Sequence, residues 1–454
     1  MLNKIKQYKL VNRSSINSIG IIFLPDDPFL IKKQPFFLKK LCGLSIIERN
    51  IRTFINNGIK DVFILTNSTE DLNGDDLDKN VHIRKIKSLD MIKDSLNQGK
   101  ILNKEIEYGI LLNGGILIDD RIISSLLNSD EEIIYIQGKN IETNRNKNQL
   151  ENLACKIKIN IINLYTQADS SFSFKDFINS SSFNKSSYHS TDEIATYKSD
   201  MRRNVPISIY VFQNSNDFKS AKKSLVKKTQ KGTLDFIAWY FNRYFENFFV
   251  YVIADSKITA NHVTIIVNIF GFFVLFLFLV HYWLIGLVLL ILINILDGVD
   301  GKLARLRMKE SKAGHMEHTF DQLYEQAIYV GIGLGAYFII DSLYVIIVLI
   351  IMLLMDSFNR HCSMQYKEVM GITLADSSRF DQIFRKFDGR RNIYTLHILI
   401  FGILGHFEYA IFSICVHAII TSIIYSIQAI RHMKKLDNIK LKYFTSKTTE
   451  VNNY

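Results

Sequence analysis

Asp297, Gly298, Val299, Asp300, Gly301, Lys302, Leu303, Ala304 and Arg305 close a long apolar run. Ionisable residues at membrane depth are costly and mark functional sites. On an α-helix, residues three and four apart share a face, so Asp297, Asp300 and Ala304 point the same way. Paired carboxylates suit a hard divalent cation such as magnesium or manganese. Downstream, Glu317, Asp321 and Glu325 recur every four residues and line one side of a second helix. Facing helices of this kind could enclose one or two metal ions holding a pyrophosphate. A carboxylate left partly free could take the proton of an attacking hydroxyl. Gly301 and Ala304 let a bulky ligand approach the backbone, and Arg305 offers a guanidinium fork to phosphate oxygens.

The elements that must position these residues are membrane helices. Apolar runs cover Val263–Val280, Trp283–Leu296, Ala327–Ile340, Leu343–Met355, Ile393–Leu404 and Tyr409–Ile427. A bilayer needs ~20 mostly apolar residues per helix, which the shorter runs reach with their polar shoulders, giving about six spans. Lys302, Arg305, Arg307, Lys309 and Lys312 fill one connection, and Arg379, Arg385, Lys386, Arg390 and Arg391 another. Arg431, Lys434 and Lys435 follow the last run, whereas the connections around His281, Asp341 and Glu408 carry almost no Lys or Arg. This asymmetry predicts a multi-pass cell-membrane protein with both termini and the aspartate motif in the cytoplasm. The formal net charge of +11 then reflects membrane topology, and no nucleic-acid partner is expected. Cys42, Cys155, Cys362 and Cys415 show no metal-ligand spacing and are expected to be reduced. Met1–Leu10 is charged and lacks a following apolar segment, so no cleaved signal peptide is expected.

The first ~230 residues read as an α/β domain with a mostly parallel sheet, because short β-type runs alternate with helical patterns. The strands are expected at Ser18–Leu24, Asp61–Thr66, Tyr108–Leu112 and Ile133–Ile136, with a helix over Leu44–Asn56. Ser170–Ser199 is rich in Ser, Asn, Asp and Lys and reads as a long loop. Trp239, Tyr240, Arg243, Tyr244, Phe248 and Tyr251 predict an interfacial amphipathic helix. The expected division is a soluble domain over 1–230, a linker with that helix over 231–262, an all-α membrane domain over 263–432, and a basic cytoplasmic tail over 433–454.

Asp297, Asp300, Gly301, Ala304 and Arg305 match the first half of a signature, and on them the region from about 230 to 432 resembles the CDP-alcohol phosphotransferases. That signature reads Asp-x-x-Asp-Gly-x-x-Ala-Arg, eight residues, then Gly-x-x-x-Asp-x-x-x-Asp. In its second half Gly314 stands at the family's distance, followed by His318 and Gln322 at the acidic positions. A connection shorter by one residue aligns Ala313, Glu317 and Asp321 instead, and this register keeps both acids. Ile258–Thr264 is similar to the family's Thr-Pro-Asn-x-x-Thr entry to the first span, with Ala260 replacing proline. The resemblance implies transfer of a phosphoalcohol from a CDP-alcohol, CDP-diacylglycerol above all, to an alcohol acceptor, with release of CMP. It further implies Mg2+ or Mn2+ held by Asp297, Asp300, Glu317 and Asp321, with Asp321 also the base. Gly301, Ala304, Arg305 and Asn261 would hold the CDP group, within a homodimer among membrane lipids. Arg360, Arg390 and Arg391 are candidates for an acceptor phosphate.

Ser18–Asn67 resembles the start of the sugar-phosphate nucleotidyltransferases through a strand at Ile19–Leu24, a helix at Ser45–Asn57 and Gly58–Leu65. The family's glycine-rich loop is missing, since Leu24-Pro-Asp-Asp-Pro28 follows the strand, and Asn113, Gly114 and Gly115 stand where its metal-binding aspartate belongs. Lys32, Lys33, Lys39 and Lys40 read as a solvated basic surface. The combination resembles bifunctional inositol-phosphate cytidylyltransferase and phosphotransferase proteins, and the soluble half is expected to be an inactive regulatory or structural domain.

Overall fold

Seven strands form the main sheet of the N-terminal half: β1 (Ser18–Phe23), β2 (Asp61–Leu65), β3 (His82–Ile86), β4 (Tyr108–Asn113), β5 (Ile134–Lys139), β6 (Leu150–Lys158) and β7 (Ser187–Ser190). Their spatial order is β7-β5-β6-β4-β1-β2-β3. The pairs β1–β2, β1–β4 and β2–β3 are parallel, while β6 runs antiparallel to both β4 and β5. β1 is buried along its length, as befits a parallel strand covered on both faces. This computed structural model describes residues 18–25, 28, 30–31, 34–66, 82–86, 91, 106–129, 134–139, 150–158, 174, 187–310 and 313–451. Much of the loop expected at Ser170–Ser199 lies outside the described residues, as do Met1–Leu10, Asp26, Asp27, Lys32, Lys33 and Lys312; its described end is not a loop, because Ser187–Ser190 pairs with β5 as strand β7.

Helix α1 (Ile46–Asn56) starts where the Ser45 side chain accepts the Glu48 N–H, and it buries Ile47, Ile51 and Phe54 against the sheet. Those positions follow the helical repeat. α2 (Asp120–Asn128) and α3 (Ser215–Lys228) complete the described helices of this half. A single π-helical turn at Ala238–Asn242 leads into α4 (Arg243–Ile253), which buries Glu246 and Val250 and exposes Tyr244, Phe245, Phe248 and Tyr251.

The C-terminal half contains α5 (Ala260–Leu279), α6 (Trp283–Leu306), α7 (Glu317–Ile340), α8 (Leu343–Met370), α9 (Arg379–Phe384), α10 (Arg391–Ile403) and α11 (Ala410–Val451). Among the described residues, five helices are long and apolar enough to cross a membrane: α5, α6, α7, α8 and the stretch Phe407–Asn438. The fifth apolar run, Ile393–Leu404, forms α10, whose 13 residues span only about 20 Å at ~1.5 Å per residue, short of the ~30 Å hydrocarbon core.

Three helices continue beyond the apolar runs. α6 carries on through the aspartate motif, α8 reaches Met370 before Gly371 ends it at φ +70°, and α11 runs on to Val451. Nothing in those polar extensions breaks a helix, whereas a left-handed glycine stops one. α5 packs between α6 and α7. A side chain at Gly271 would come within 2.5 Å of the Tyr324 ring, the close crossing that small residues permit between membrane helices.

The two halves meet in a hydrogen-bonded seam. The Gly43 N–H donates to Asp255 Oδ1 at 3.2 Å, and Lys222 Nζ donates to Asp255 Oδ2 at 2.7 Å. Arg307 donates to the carbonyls of Ile253, Ala254, Ser256 and Ile258, gripping the C-terminal end of α4. A cation there also suits the helix dipole.

Candidate active site

The polar end of α6 has two working faces, set by the i, i+3, i+4 repeat. One carries Asp297, Asp300 and Ala304; the other carries Gly298, Lys302 and Arg305. On the first face Asp300 is buried, accepts the Thr264 hydroxyl at 2.7 Å and accepts the Gly301 N–H at 2.5 Å. Thr264 stands one turn into α5, whose start is fixed by a reciprocal cap between Thr259 and His262. Asn261, in the same first turn, is exposed. Asp297 accepts Tyr324 Oη at 3.2 Å and both terminal nitrogens of Arg391, at 3.3 and 2.5 Å.

α7 supplies the opposing acids. One ligand atom each of Glu317, His318 and Asp321 lies within 4.8 Å of the others. Asp321 Oδ1 is buried without a hydrogen-bond partner among the described residues. The charges of Asp297, Asp300, Glu317 and Asp321 act on one another across the space between α6 and α7. Several anions converging on a buried, unsatisfied oxygen fit a divalent cation, which supplies the missing positive charge. The His318 side chain is 71% exposed and reaches Asp321 at 3.8 Å. In the Glu317/Asp321 register, by contrast, both positions carry oxygen ligands that face the α6 acids. Glu325, third in the acidic row, is drawn elsewhere: it pairs with Arg360 and, at 3.2 Å, with Arg391.

The three candidate acceptor-binding arginines all sit in ion pairs. Arg360 bridges Glu325 and Asp356, Arg390 contacts Asp388 at 3.2 Å, and Arg391 joins Asp297 to Glu325. Arg391 therefore orients a proposed metal ligand. Its partners lie far away in sequence, so residue spacing carries no sign of this.

The second face of α6 packs against the linker and α4. Lys302 is 2% exposed and pairs with Glu246 at 2.9 Å, while its Nζ also donates to Gln230 Oε1 at 2.5 Å and Asn247 Oδ1 at 2.7 Å. Gly298 makes this possible, because a Cβ there would lie 2.5 Å from the Glu246 carboxyl carbon. Burial pushes the Glu246 carboxyl up, against the opposing pull of Lys302. Arg305 donates through Nε to the Thr229 carbonyl at 2.9 Å. At Gly301 the Arg305 Nη1 would be 3.2 Å from an added Cβ, so the glycine leaves room for the guanidinium. Ala304 is half-buried on the acidic face.

In the N-terminal half, Asn113 accepts the Gly115 N–H through its side chain at 3.0 Å, and Gly114 donates to the Phe23 carbonyl at 2.7 Å. A Cβ at Gly115 would meet Phe36 at 3.7 Å and Pro25 at 3.9 Å. The turn after β4 is thus closed on itself and on the segment that follows β1.

Residues 257–427 match the model of the CDP-alcohol phosphatidyltransferase family, so the C-terminal region carries a domain of that family. The bifunctional IPC transferase and DIPP synthase of Thermococcus kodakarensis is 28% identical over 179 residues, which cover 37% of this chain and 40% of that protein. The chain thus spans two fifths of the length of this curated relative. Among solved structures, the Mycobacterium tuberculosis phosphatidylinositol phosphate synthase with CDP-DAG bound aligns with TM-score 0.33 and 16% identity, over 39% of this chain and 89% of that one. The inositol-1-phosphate CTP transferase from T. maritima aligns with TM-score 0.32 and 12% identity, over 45% of this chain and 95% of that one.

Proposed function

We propose that this protein transfers a phosphoalcohol group, phosphatidyl in the favoured case, from a CDP-alcohol to an alcohol acceptor in the membrane. The acceptor oxygen forms a bond to the phosphorus that bears the donor alcohol, the bond from that phosphorus to CMP breaks, and CMP leaves. The observation that carries this reading is the convergence of Asp297, Asp300, Glu317 and Asp321, with Asp321 Oδ1 buried and unpartnered. Mg2+ or Mn2+ held by these carboxylates would neutralise phosphate charge during the displacement. Thr264 and the Gly301 N–H fix Asp300, while Tyr324 and Arg391 fix Asp297. Asp321 accepts the acceptor's hydroxyl proton, and Gly301, Ala304, Arg305 and Asn261 hold the CDP group.

The positive-inside asymmetry supports placing this site and both termini in the cytoplasm, and the family resemblance supports a homodimer. The acidic sequence after β1 and the closed Asn113 turn support an N-terminal domain without nucleotidyl transfer.

The test is CMP release by full-length protein in lipid nanodiscs, with Mg2+ or Mn2+, CDP-diacylglycerol and a pool of alcohols, followed by mass spectrometry of the products. CDP-inositol serves as the alternative donor. Turnover lost in Asp300→Asn and Asp321→Asn is the expected result. No CMP from any CDP-alcohol in the panel would refute the enzyme reading and leave a membrane scaffold.

A further inference from the structure

The seam between the two halves gathers three cations, of which Arg202 alone has an ion-pair partner among the described residues, Asp376. Three chain segments supply them. The turn Ser199–Arg202 holds Arg202 at φ +52°, with its Nε 3.8 Å from Asp376 Oδ2. The linker supplies Lys231, whose Nζ has no hydrogen bond or ion pair among the described residues. The motif helix supplies Arg305, which among the described residues is anchored only through Nε, with neither terminal nitrogen hydrogen-bonded.

Backbone contacts hold these segments together. Gly232 N–H donates to the Met201 carbonyl at 2.8 Å, and Arg203 Nε donates to the Gln230 carbonyl at 2.7 Å. Lys231 is half-buried and feels both Arg305 and Arg202 as repulsive neighbours. Asp200, Asp300, Glu310 and Glu317 act on this group from a distance, and among the described residues none of them forms an ion pair with Lys231 or Arg305. Arg385 and Arg390, next to Arg202, are already paired with Asp388. Three partly desolvated cations that share one paired carboxylate, Asp376, favour an anion with several acceptor oxygens.

We propose that Arg202, Lys231 and Arg305 form a phosphate-binding site, through which the soluble half lends substrate affinity to the membrane transferase. The inference rests on the transfer reading only for the identity of the phosphate ligand. The N-terminal domain then serves the reaction by holding Arg202 against Lys231. The phosphate belongs either to the diphosphate of the CDP-alcohol or to a phosphorylated acceptor alcohol.

Two measurements on full-length protein in nanodiscs test this without turnover. Lysine acylation followed by peptide mass spectrometry should label Lys231, and saturating CDP or an alcohol phosphate should suppress that label at least fivefold. Protection by CDP alone assigns the site to the donor, and protection by alcohol phosphates alone assigns it to the acceptor. Equilibrium binding of the protecting ligand should weaken at least tenfold in Arg202→Gln and Lys231→Gln, with recovery in Lys231→Arg. Labelling of Lys231 that neither ligand suppresses overturns the site, even in a protein that releases CMP. The labelling needs no variant, so a misfolded Gln variant leaves the proposal refutable. Protection without any CMP release would keep the phosphate site while refuting the transferase.

Discussion

Replacing Lys302 with methionine removes one half of an ion pair that joins the motif helix to α4. Lys302 and Glu246 are 2% and 5% exposed and meet at 2.9 Å. Breaking a buried pair by removing one partner costs ~3–5 kcal/mol, because the remaining charge is left uncompensated. Glu246 can escape part of that cost by taking up a proton, since burial already pushes its carboxyl up. In the variant its folded pKa stands still further above the unfolded value. The stability associated with protonation is then present at low pH and is lost as pH rises through the folded pKa. The penalty of Lys302→Met should therefore be about 3 kcal/mol or more at pH 8 and clearly smaller at pH 5. Glu246→Leu combined with Lys302→Met removes both charges and should return to within ~1 kcal/mol of the parent. Denaturant titration in detergent, read by the fluorescence of Trp239 and Trp283, measures all three proteins. A penalty below ~1 kcal/mol at pH 8, or a double variant no more stable than Lys302→Met, would refute the reasoning.

Three further outcomes are expected. Thr264→Val removes the hydroxyl donated to buried Asp300; a hydrogen bond to a charged group contributes ~1.5–3 kcal/mol, so kcat/KM measured by CMP release should fall roughly ten- to hundredfold. Gly298→Ala drives a methyl into the Glu246 carboxylate, and the same unfolding assay should register a loss of ~1–3 kcal/mol. Lys231 is pushed down to about 8, first by burial and then by Arg305 and Arg202. Its charge is therefore lost as pH rises through that value, and phosphate affinity measured at pH 7, 8 and 9 should decline, with Lys231→Arg flattening the decline.

The parts of the site that follow helical periodicity are legible in the sequence alone. Asp297, Asp300 and Ala304 share a face because they lie three and four residues apart, and Glu317 and Asp321 do so for the same reason. The α/β alternation was equally readable at Ser18–Phe23, Asp61–Leu65 and Tyr108–Asn113, whose apolar runs are those of buried strands. His82–Ile86 and Leu150–Lys158 escaped notice because each mixes charged and apolar residues; the neighbouring strands, not the local composition, make them extended. Lys302 was hidden for a related reason. It resembles an ordinary cytoplasmic lysine, and its partners Gln230 and Asn247 lie 72 and 55 residues away. Arg391 reads as a topological charge or an acceptor-phosphate contact, because its partner Asp297 lies 94 residues away.

The grip of Arg307 on the four carbonyls of Ile253, Ala254, Ser256 and Ile258 has a mechanical meaning. The helix that carries the acids ends in a hook, and that hook closes over the chain entering the first span. With the Gly43 and Lys222 contacts to Asp255 beside it, the covalent linker is no longer what keeps the halves in register. A protein nicked between Ile258 and Thr259 would still travel as one particle, its two fragments joined by the Arg307 latch rather than by a peptide bond.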